Sequence, residues 1–153
     1  MARFSSALDR AAETIKRPPP APMGWYRARV TKVPDAPREI EGKPFEILSV
    51  PLALVEAHEV DDADLAAFGK VEGTPTRIDF VFNTDPNEEQ KFESTLNRLK
   101  NFCTQLGIDT TEGTPKMWLA QMPNAQLLVE IKHRMDPNDE TQVYAEVGRT
   151  TAL

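Results

Sequence analysis

The chain has 153 residues, a formal net charge of -6 and 40% hydrophobic residues. That is enough for one packed domain with extended polar loops and short for two. Its single cysteine, Cys103, excludes an internal disulfide framework, and no apolar run approaches the roughly 20 residues that cross a membrane. With no signal-peptide pattern at the N-terminus, these features point to a cytoplasmic protein without a membrane partner.

Phe4, Ala7, Leu8, Ala11 and Ile15 recur at helical spacing, with Ser5 or Ser6 as a cap, so residues 1–22 read as an amphipathic helix followed by a stiff arm, Pro18 to Pro22. A second part, residues 23–153, reads as the main domain. It opens on Gly24-Trp25-Tyr26-Arg27-Ala28-Arg29-Val30, whose period of two sends Tyr26, Ala28 and Val30 inward and Trp25, Arg27 and Arg29 outward. An indole and two guanidiniums in one outward row are the groups that stack a base and hold its phosphates.

Phe45 to Val55 reads as a second strand, with Pro51 at an edge or bulge. The acidic stretch from Glu56 to Gly73 reads as an insertion or long loop at about 56–74, in which Asp61 or Asp62 caps a turn of helix through Leu65 and Phe68. Thr76 to Phe82 alternates as a third strand, with Ile78, Phe80 and Phe82 inward and Arg77 outward. Phe92, Leu96, Leu99, Cys103 and Leu106 share one face of a helix from about Asn87 to Leu106, which Gly107 ends. Thr114-Pro115 opens a short second helix, Lys116 to Met122. Gln126 to Arg134 and Thr141 to Gly148 then form two strands around a polar loop, Asp136 to Glu140, and Lys132, Arg134 and Tyr144 face out.

The fold expected is therefore mainly β with α: a five-stranded OB-like Greek-key barrel, with the long helix between strands 3 and 4 and an N-terminal helical arm. A plain β-sandwich with a helical insertion is the other architecture this order permits.

Catalytic chemistry finds little support. Two histidines, His58 and His133, are the only imidazole bases, and Cys103 falls on the apolar side of a helix, where a structural thiol belongs. Glu56, His58, Glu59, Asp61, Asp62 and Asp64 read as a solvated, helix-capping loop. Asp136, Asn138 and Glu140 imitate the start of a calcium loop, but Thr141 stands where its glycine is needed and Val147 where its bidentate acid is needed. No phosphate-binding glycine loop occurs, which sets aside a nucleotide-hydrolysing engine. Taken with the histidine, cysteine and acidic-cluster readings, no metal, cofactor or enzymatic activity is expected. What remains is an outward set: Trp25 and Tyr144 to stack bases, and Arg27, Arg29, Arg77, Lys132 and Arg134 to follow phosphates.

Met1-Ala2-Arg3-Phe4-Ser5-Ser6-Ala7-Leu8-Asp9, the Arg17-Pro18-Pro19-Pro20 connector before Gly24-Trp25-Tyr26, Leu106-Gly107-Ile108-Asp109 and the closing hairpin resemble a group of small tailed-phage proteins. That group is similar to phage single-stranded DNA-binding proteins with an OB-fold. The resemblance implies a sequence-tolerant single-stranded DNA-binding protein of phage replication or recombination, working in the bacterial host cytoplasm beside other proteins of those processes. The alternative is a phage structural or protein-interaction module that forms a homo-oligomer through the N-terminal arm, with Trp25 as an interface anchor.

Overall fold

The computed structural model describes residues 19–153. The expected N-terminal helix, Phe4 to Ile15, lies outside them. The order is β1 (Gly24–Val30), β2 (Arg38–Glu39), β3 (Phe45–Val60), α1 (Asp62–Phe68), β4 (Pro75–Asn83), a 3-10 turn (Pro86–Glu88) running into α2 (Glu89–Gln105), α3 (Pro115–Ala120), β5 (Gln126–Asp136) and β6 (Asp139–Thr151). The protein is mainly β with α, and every strand pairing is antiparallel.

β1 carries the central register. Tyr26 and Ala28 pair with Val129 and Leu127 of β5, and all four side chains are fully buried. The strict alternation of β1 thus builds one layer of core, as its period of two requires. On the other side β1 pairs with the second half of β3, while the first half of β3 pairs with β4. Pro51 sits where β3 passes from one set of neighbours to the next. Its carbonyl accepts from Thr31 N at 3.1 Å just beyond the end of β1, so its missing N–H falls where the ladder has already ended.

The acidic stretch departs from the loop expected of it. β3 runs on to Val60, because Glu56, Ala57, Glu59 and Val60 pair with Arg27, Tyr26, Trp25 and Gly24. Pairing with β1 overrides the weak strand preference of Glu, Ala and His. Asp61 then caps α1, accepting from the backbone N–H groups of Ala63 and Asp64.

The expected closed five-stranded barrel is not formed. Six strands make one sheet, β4-β3-β1-β5-β6, with the short β2 beside the start of β3, and β4 and β6 share no ladder. α2 stands across that seam. Thr95 Oγ1 donates to the Val81 carbonyl of β4 at 3.0 Å, and Gln105 Nε2 donates to the Thr150 carbonyl of β6 at 3.2 Å. Phe102 of α2 meets Phe80 of β4 with ring centroids 5.5 Å apart. The helix therefore satisfies edge carbonyls that strand pairing would otherwise take.

The core lies between one face of the sheet and the buried faces of α2 and α3. Leu99, Phe102 and Cys103 of α2 and Trp118 of α3 join Tyr26, Val30, Val50, Leu127 and Ile131. Thr114 caps α3 with Pro115 at its first position, and Trp118 Nε1 donates to the Glu112 carbonyl. Burial pushes the Cys103 thiol up to about 11 and the Tyr26 phenol up to about 12, the latter with a smaller contribution from Asp64. Both groups are therefore neutral structural members at physiological pH. Tyr26 Oη donates to the Pro22 carbonyl at 2.6 Å, and His133 Nε2 lies 2.7 Å from the Ala21 carbonyl, so the end of the proline connector is fixed against the domain.

Candidate nucleic-acid interface

Strand parity places Trp25, Arg27, Arg29, Arg77, Lys132, Arg134 and Tyr144 on the outer side of the one sheet. The inward partners on either side of them, Tyr26, Ala28, Phe80, Val129 and Ile131, are buried. The outward residues do not make one site. Arg77, Arg134 and Tyr144 line a groove of about 980 Å³ along the open seam between β4 and β6, while Trp25, Arg27, Arg29 and Lys132 lie away from its lining on β1 and β5.

Two arginines outside the expected set complete the groove: Arg98 of α2 and Arg149 of β6. Arg98, Asn101 and Gln105 form an i, i+3, i+7 polar stripe beside the apolar one. That spacing is visible in the sequence, but only the seam gives it a place to face. Arg149 falls just past the expected strand end at Gly148; β6 continues to Thr151 and is irregular opposite Glu130. The lining thus carries Arg77, Arg98, Arg134 and Arg149 against Asp79 and Glu146. On a chain of net charge -6 this is a local reversal of sign.

Each aromatic ring expected to stack a base already carries a guanidinium. Arg149 Cζ lies 5.6 Å from the centroid of the half-buried Trp25 ring, and Arg134 Cζ lies 5.9 Å from that of Tyr144. Tyr144 Oη also donates to Asp136 Oδ2 at 3.2 Å. Each of these rings is thus covered by a guanidinium, a group on which bases can also stack.

Carboxylates accompany most of the cations. Arg27 reaches Glu56 at 3.3 Å, Arg77 reaches Asp79 at 3.4 Å, Lys132 reaches Glu130 at 3.6 Å and Arg134 reaches Glu146 at 3.4 Å. Arg27 Nε is buried with no hydrogen-bond partner. Arg29 and Arg98 make no ion pair among the described residues. The strongest pair is Arg149 with Glu130, bonded by two parallel contacts at 3.1 and 2.9 Å. The Arg149 bond is the main cause that holds the Glu130 carboxyl down at about 2.

A folded-state value below the unfolded one means that this pair adds stability above pH 4.5, and that the contribution disappears as pH falls from there towards 2. Glu130→Gln is accordingly expected to lower the melting temperature at neutral pH and to leave it close to the wild-type value near pH 2. Thermal unfolding of both proteins across that range checks it, and equal melting temperatures at neutral pH contradict it.

Among the described residues no group of three or more His, Cys, Asp or Glu side chains comes together as a metal site, and no helix is long and apolar enough to cross a membrane. No protein-family model matches the sequence, and no curated protein matches it.

Proposed function

We propose that this chain is a sequence-tolerant single-stranded DNA-binding protein, in keeping with the resemblance of its sequence to small tailed-phage proteins of replication and recombination. The seam groove carries the reading: four guanidiniums against two carboxylates, with Arg98, Arg134 and Arg149 each backed by an aromatic ring, on an otherwise acidic chain. The strand order β4-β3-β1-β5-β6, with the principal helix between β4 and β5, supports an OB-like relationship, read as an OB barrel whose last pairing is left open. That relationship is an analogy of fold, and the groove chemistry is the independent argument.

In this reading Arg77, Arg98 and Arg134 take phosphates, and bases lie on the Arg134–Tyr144 and Arg149–Trp25 layers. Arg27, Arg29 and Lys132 extend the path over the outer face of β1 and β5. Anisotropy of a labelled oligo(dT) of about 16 nucleotides tests it, at roughly 20 and 200 mM salt. With about three phosphates engaged, affinity is expected to fall about a hundredfold over that interval. No binding at the lower salt overturns the reading. A stable multimer that ignores the oligonucleotide instead supports the second reading, a self-associating module.

A further inference from the structure

We propose that Asp79 and Glu146 determine which anions the groove accepts, admitting a chain of phosphates and turning away single ones; this rests on the reading of the groove as a nucleic-acid path. The two carboxylates are the acids of the lining, and each is held against one of its arginines. Asp79 Oδ2 lies 3.4 Å from Arg77 Nε, while its other oxygen accepts from Ser49 Oγ at 2.6 Å, which pins the carboxylate in place. Glu146 Oε2 lies 3.4 Å from Arg134 Nε.

Both pairs make single contacts at a solvated surface, unlike the two-point Arg149–Glu130 pair behind them. They are the exchangeable ones. A lone phosphate arriving at Arg77 or Arg134 must displace a carboxylate already present at high local concentration. A strand that first engages Arg98, which has no ion pair among the described residues, brings its next phosphates to Arg77 and Arg134 as intramolecular events. Polymeric ligands therefore exchange the carboxylates and mononucleotides do not.

The test compares wild type with Asp79→Asn, Glu146→Gln and the double variant; Asn keeps the acceptor for Ser49. Glu93→Gln, on an exposed turn of α2 outside the groove, supplies the same change of net charge elsewhere. Probes are labelled oligo(dT) of about 16 nucleotides and thymidine 5'-monophosphate as competitor. Each groove variant is expected to tighten oligonucleotide binding about threefold and the double variant about tenfold. The double variant should also become sensitive to the monophosphate at concentrations that leave wild type untouched. Unchanged or weaker binding by groove variants with wild-type melting temperatures overturns the inference, as does equal tightening by Glu93→Gln. Absence of binding by every protein, wild type included, overturns both the inference and the reading beneath it.

Discussion

Gly24→Ala is expected to destabilise the fold by about 3 kcal/mol and to lower its melting temperature by about 10 °C. Gly24 opens β1 with φ at +141°, a backbone region that side-chain-bearing residues rarely enter. It is also paired on both sides, with Val60 of β3 and Ile131 of β5. A Cβ there would stand 2.4 Å from the Glu59 carbonyl oxygen and 2.9 Å from Val60 Cγ2. Because the first neighbour is backbone, no side-chain rotation relieves the clash. The end of β3 must then withdraw from β1, taking with it the pairing that makes a strand of Glu56 to Val60. Chemical denaturation of Gly24→Ala beside wild type measures the loss. A change below about 1 kcal/mol shows that β3 does not close on β1 at this end.

The second large effect concerns binding. Arg98→Glu combined with Arg134→Glu is expected to weaken oligo(dT) binding at least a hundredfold at low salt, and to reduce the salt slope by about 1.4, the share of two phosphates. Both side chains are exposed, and Arg134 makes one ion pair at 3.4 Å, so melting should move little. Reversal of Arg27, whose guanidinium is partly buried against Glu56, would not separate binding from folding in this way. Retained affinity in a folded double variant places the ligand somewhere other than the seam.

Much of this arrangement is legible in the residues themselves. The alternation through Gly24 to Val30, the apolar stripe from Phe92 to Leu106 and the Thr114-Pro115 cap each follow from local periodicity or capping chemistry, and the structure shows the elements at those places. Features that depend on distant partners are not legible. Glu56 to Glu59 looks like loop because Glu and Ala disfavour strand, and only the presence of β1 alongside makes it one. The open seam is equally hidden. Whether β4 meets β6 depends on how far α2 intrudes between them, and Thr95, Phe102 and Gln105 carry no local sign of that role.

For the interface, parity alone puts all seven expected residues on the outer side of the sheet. It does not say which of them share a groove. Arg98 escapes a strand-based search because it belongs to a helix, and Arg149 because the hairpin runs longer than its turn residues suggest. Nor does a list of outward cations reveal that Glu56, Asp79, Glu130 and Glu146 stand within ion-pair distance of them. Trp25 shows the difference most clearly: its ring lies 5.6 Å from Arg149 Cζ, so in the proposed reading the indole acts through that guanidinium.

The position of a bound strand is the most direct test of the account. Photo-cross-linking of a 5-iodouracil-substituted oligo(dT), followed by peptide mass spectrometry, reports which side chains touch bases. Cross-links to Tyr144 and to the peptide containing Trp25 are the expected result, with none to the outer turns of α2 around Gln90 and Glu93. Cross-links confined to that outer surface, or none from a protein that binds the oligonucleotide, contradict it.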